Sequence, residues 1–103
     1  MASDTFIELV RSGGLAGISM ATEVRVGDLP PEKAAAVEGA LGQVDLGALA
    51  ARRAAPAGPD RYQYDVTVVD GGERHTFRLG ESEVPAELRP LLDALVPMVR
   101  PRP

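Results

Sequence analysis

Four stretches of the chain alternate apolar and polar side chains, the period of two that a half-buried strand imposes. In residues 5–11 (TFIELVR), Ile7 and Leu9 share one face, and Phe6 and Val10 share the other. Glu8 interrupts that second face, so the Ile7/Leu9 side is expected to meet the core. Across residues 18–26, Ile18, Met20, Val24 and Val26 alternate with Ser19, Ala21, Glu23 and Arg25. Residues 12–17 (SGGLAG) read as a tight glycine loop joining these two strands into a hairpin. The strongest strand pattern is residues 61–69 (RYQYDVTVV), with Tyr62, Tyr64, Val66 and Val68 on one face. Residues 70–73 (DGGE) are a hairpin-turn signal, and residues 74–79 (RHTFRL) alternate again through His75, Phe77 and Leu79.

Two segments carry helical spacing instead. Residues 27–32 (GDLPPE) open the first helix, since proline is tolerated where N–H groups lack intrahelical acceptors. Ala34, Val37, Leu41 and Val44 give it a narrow apolar stripe, and Gly42 marks its end. The second starts near Ala86 with Pro90 in its first turn, buries Leu88, Leu91, Leu92 and Leu95, and meets a stop at Pro97. Between the halves, residues 45–53 (DLGALAARR) fit a loop or a single helical turn, with Leu46 and Leu49 plugging the core. Residues 54–59 (AAPAGP) suit neither a helix nor a central strand. The expected fold is α+β: a four-stranded antiparallel sheet in ββαββα order with two helices packed on one face. It forms a single domain over 1–103, with residues 1–4 and 98–103 as frayed tails.

Composition narrows the function. At 103 residues the chain has room for one modest core, and its aromatic content of 4% leaves that core to Val, Leu, Ile and Ala. The formal net charge of −4 argues against nucleic acid or an anionic membrane as partner. The absence of cysteine removes disulfides, thiolate catalysis and Cys-based metal sites. No apolar run approaches the ~18 residues of a membrane span, and residues 1–5 do not open a signal peptide. The expected location is cytoplasmic. Lys33 is the only lysine, and with abundant Ala, Gly and Pro this suggests a GC-rich bacterial source.

Enzymatic chemistry finds little support. His75 is the single histidine and sits in mid-strand, so neither a His-based zinc site nor a Ser-His-Asp arrangement using Ser12 or Ser19 can be assembled readily. The glycine loop lacks the Lys-Ser/Thr pair of a phosphate-binding loop and leads into a strand, not a helix. Its oddity is Leu15, an apolar side chain at the tip, which is how a binding loop presents an anchor. Asp60 is the second candidate, either a turn residue of residues 58–60 (GPD) or a functional carboxylate. Tracing the strands up and down puts Leu15 and Asp60 at one end of the sheet. Asp28 and the 70–73 turn fall at the other.

Residues 7–18 (IELVRSGGLAGI) resemble the opening motif of the emfourins, small bacterial protein inhibitors of thermolysin-family zinc proteases. Residues 59–68 (PDRYQYDVTV) resemble that family's second signature, and residues 88–95 (LRPLLDAL) its closing helix. The similarity runs from about Phe6 to Val96. Leu15 stands where many relatives carry Phe. The resemblance implies a non-enzymatic inhibitor of a thermolysin-like, protealysin-like metalloprotease that needs no cofactor or metal of its own. One loop would supply an aspartate to the protease's catalytic zinc, and the other would place apolar residues in its substrate pockets. Carried onto this chain, the aspartate is Asp60, with Asp45 and then Asp28 as alternatives, and the apolar element is Leu15 with Ala16. Ser12, Gly13, Gly14, Gly17, Pro59 and Arg61 would support the loops. The competing expectation is a regulatory interaction module whose partner is not a protease.

Overall fold

The computed structural model describes residues 5–13, 19–51 and 62–101. Strands β1 (Phe6–Gly13) and β2 (Met20–Arg25) form the first antiparallel hairpin. Strands β3 (Tyr62–Asp70) and β4 (Glu73–Gly80) form the second. The second hairpin closes through Gly71 and Gly72 at φ 60° and 84°, the two positive values that a tight turn matching strand twist demands. The hairpins join through β1 and β3, which pair antiparallel from Phe6–Val69 to Gly13–Tyr62. A two-residue strand β5 (Arg100–Pro101) adds to β2 opposite Ala21 and Met20. The sheet order is β4-β3-β1-β2-β5.

Parity decides what is buried. Ile7, Leu9, Val66, Val68, Phe77 and Leu79 share one sheet face and are almost fully buried. Against that face pack α1 (Pro31–Gly42), through Val37, Ala40 and Leu41, and α3 (Arg89–Leu95), through Leu91, Leu92, Ala94 and Leu95. Proline stands at the first position of α1, where its missing donor costs nothing. A 3-10 turn at Ala86–Leu88 leads into α3, and Pro97 lies in the turn Val96–Met98 that ends it. The opposite face carries Glu8, Glu23, Asp65, Thr67, Thr76 and Arg78. There Arg78 Nε donates to Asp65 Oδ1 at 2.8 Å, and the Thr67 and Thr76 hydroxyls share a hydrogen bond of 3.1 Å.

Three features differ from the ββαββα expectation. Among the described residues the sheet has five strands instead of four, and three α-helices stand where two were expected. The extra helix is α2 (Leu46–Ala51), held at its start by Asp45, whose Oδ1 accepts from the Ala48 amide at 3.0 Å. Leu46 and Leu49 still pack against the core from this helix. The extra strand is β5: Val99 is only 6% exposed and pins the chain, so residues 98–101 are not a frayed tail. Pro101 is tolerated there because an edge strand need not donate on both sides. Finally, Ser12 and Gly13 belong to β1 and not to a turn, since they pair with Gln63 and Tyr62.

Candidate functional site

Leu15, Ala16, Gly14, Gly17, Asp60, Pro59 and Arg61 lie outside the described residues. What is described is where their segments begin and end. In the first hairpin, the ladder between β1 and β2 runs to Arg11–Met20 among the described residues. Strand β1 runs two residues further, and there Ser12 and Gly13 pair with Gln63 and Tyr62 of β3. Gly13 is the residue before segment 14–18, and Tyr62 is the residue after segment 52–61. They are register partners, so their Cα atoms stand about 4.5–5.5 Å apart. Gly13 has φ 90°, a left-handed value that a side chain would strain, and this turns the backbone where it leaves the ladder.

Under these two roots lies a cluster on the core face of the sheet. The Arg11 guanidinium carbon sits 4.5 Å from the centre of the Tyr62 ring, within cation–π range. Its Nη2 donates to Met20 Sδ at 3.4 Å, while Nε is buried with no hydrogen-bond acceptor among the described residues. Beside it, burial pushes the Tyr64 hydroxyl above its ordinary pKa; the Arg11 cation opposes this, and Glu81 and Tyr62 reinforce it. Arg11 lies within the opening motif of residues 7–18, which by itself gives it no role. The available signal is parity, since the alternation that puts Ile7 and Leu9 on the core face puts Arg11 there as well.

The other candidates are elsewhere. Asp28 is exposed in the turn that follows Arg25, the partner of Phe6. At about 3.3 Å per residue, that end of β1 is roughly 23 Å from Gly13. His75 is opposite Val68 near the same remote end, with Nε2 3.5 Å from Glu73 Oε2. Asp45 is engaged as the α2 cap. Among the described residues no group of three or more His, Cys, Asp or Glu side chains could hold a metal ion. Among them, too, no helix is long and apolar enough to cross a membrane.

Searches of curated proteins and of solved structures return no match. The family model for the emfourins matches residues 9–96, which takes in β1 from Leu9 onward, β2 to β4, the three described helices, and segments 14–18 and 52–61. With that match covering most of its 103 residues, the chain belongs to the emfourin family.

Proposed function

We propose that this protein inhibits thermolysin-family zinc metalloproteases, with Asp60 reaching the protease's catalytic zinc and Leu15, flanked by Ala16, entering a neighbouring substrate pocket. The observation that carries the proposal is the Gly13–Tyr62 register pair. Leu15 and Asp60 are each two residues from a member of that pair. At about 3.8 Å per residue, covalent reach alone keeps each Cα within roughly 8 Å of its root. The two contacts therefore start from adjacent points on one rigid sheet, as joint entry into a single cleft requires. Asp28 starts from the far end of the sheet, and Asp45 already caps a helix, so neither competes well with Asp60.

The chemistry follows from the metal. A catalytic zinc keeps an open position for water, and a carboxylate oxygen can replace that water at about 2.0–2.2 Å. Expelling the water removes the nucleophile that hydrolysis needs. Leu15 adds apolar burial, about 1.5–3 kcal/mol if complete. Both groups lose little freedom on binding if their loops are held in advance, and this is what separates an inhibitor from a free carboxylate. Ser12, Gly13, Gly14, Gly17, Pro59 and Arg61 act as that support and make no contact with the metal.

The test is inhibition of a purified thermolysin-like protease on a peptide substrate. Asp60→Asn keeps the shape of the side chain and removes its charge; it should raise the inhibition constant roughly tenfold or more. Its melting curve should match that of the parent chain. Asp28→Ala should leave inhibition unchanged. A parent chain that does not inhibit, or an Asp60→Asn chain that inhibits equally well, overturns the proposal. The first result would turn attention to a non-protease partner.

A further inference from the structure

Along the core-facing row of β1, Ile7 and Leu9 are followed by Arg11, a charged residue whose guanidinium neighbours the Tyr62 ring, Met20 Sδ and the Tyr64 hydroxyl. Among the described residues Arg11 makes no ion pair. One of its nitrogens, Nε, is buried without an acceptor among those residues, and Nη2 is given to a thioether, a weak acceptor. What the guanidinium does achieve is contact with both flanking strands at once. Its face covers Tyr62, the first residue of β3, and its edge donates to Met20, the first residue of β2. Both partners are the first strand residues after segments 14–18 and 52–61.

We propose that Arg11 is a positioning residue of the inhibitory edge: by tying Met20 to Tyr62 across β1, it makes segments 14–18 and 52–61 start from one fixed frame. As a role in binding it rests on the inhibitor assignment above; as a tie within the free chain it does not. The task suits arginine specifically. A planar guanidinium stacks on a ring while its edge still donates, whereas a lysine ammonium is a hydrated point charge that cannot do both. Met20 is held in turn from its other side, where β5 pairs Pro101 with it, so the tie runs from the edge of the sheet to β3. Without the tie, the binding-competent arrangement is populated for a smaller fraction of the time. Apparent affinity then falls by that fraction, with no contact to the protease removed.

The experiment compares Arg11→Met, Arg11→Lys, Tyr62→Leu, Tyr62→Phe and the Arg11→Met/Tyr62→Leu double variant. Each is measured by protease inhibition and by amide hydrogen exchange of the free chain. The tie predicts faster exchange at Ser12, Gly13 and Gln63, with Leu9 and Val66 unchanged. It predicts a roughly tenfold rise in the inhibition constant for Arg11→Met and for Tyr62→Leu, and no further rise in the double variant. Arg11→Lys should behave like Arg11→Met despite keeping its charge, and Tyr62→Phe should behave like the parent. Additive losses, an unchanged inhibition constant, or exchange that rises evenly across the sheet would overturn the proposal. If Arg11→Met does not fold, the Tyr62 pair decides: equal behaviour of Leu and Phe at that position refutes the tie. If the parent chain does not inhibit the protease, the inhibitor assignment fails and exchange alone judges the tie, local acceleration supporting it and its absence refuting it.

Discussion

Glu8 and Glu23 are direct register partners on the open face of the sheet, a like-charge pair that costs stability, and Glu8→Lys should recover it. Lysine at this position would face Glu23 on β2 and Thr67 on β3, with Asp65 diagonal to it on β3. Placing the two charges about 6 Å apart in water gives roughly 0.7 kcal/mol of repulsion, and reversing one sign doubles the swing to about 1.4 kcal/mol. Arg25, diagonal to Glu8 on β2, takes part of this back, because a lysine would repel it. A net gain of about 0.5–1 kcal/mol remains, within the range for cross-strand pairs. For a domain of this size that is a rise of roughly 3–6 °C in Tm. Thermal melts at low salt and at about 1 M salt test the cause, since the screening length shrinks to about 3 Å at the higher concentration. Glu8→Gln should show about half the gain, and inhibition should stay unchanged because Glu8 lies roughly 16 Å along β1 from Gly13. A gain that survives high salt, or no gain at low salt, would refute the electrostatic account.

Tyr64 supplies a pH test. Burial raises its folded-state pKa, so the folded chain holds the phenolic proton more tightly than the unfolded chain does. The resulting stabilisation is complete below the ordinary value of 10.0 and is lost as pH climbs through the folded value. Urea titrations between about pH 9 and 11 should show Tyr64→Phe losing less stability than the parent, and equal slopes would remove Tyr64 as the cause. Leu9→Ala, at a position with no exposure in the middle of the sheet, should cost about 2–5 kcal/mol in the same titrations. A cost under about 1 kcal/mol would mean that the core collapses to fill the space.

Where the chain repeats a pattern, the fold was legible. Ile7 and Leu9, Val66 and Val68, and Phe77 and Leu79 alternate in sequence and lie on the buried face. Leu88, Leu91, Leu92 and Leu95 recur at helical spacing and are buried together. The two elements outside the expected order are too short for any period to show: α2 falls where a loop or a single helical turn was expected, and β5 where a tail was. Six residues of α2 give less than two turns, although Asp45 ahead of them was a capping signal. Two residues of β5 give none, and their placement depends on Val99 finding the core. At the candidate site, tracing the strands placed Asp28 and the 70–73 turn at the end remote from Gly13, where the register puts them. Arg11 escaped notice because a cation in an apolar row reads as surface until its neighbours across the sheet are known.

The seam between β1 and β3 has a consequence for how activity is acquired. Gly13 belongs to the first hairpin and Tyr62 to the second, and the long intervening stretch of chain must come together before they meet. Contacts so distant in sequence are slow to form, because closing the intervening chain costs entropy that only the finished pairing offsets. A chain with only one hairpin formed would have one arm of the proposed grip and no partner for it. Newly made chains would therefore leave a protease untouched until the last seam zips shut, and potency would appear in a single step with native structure.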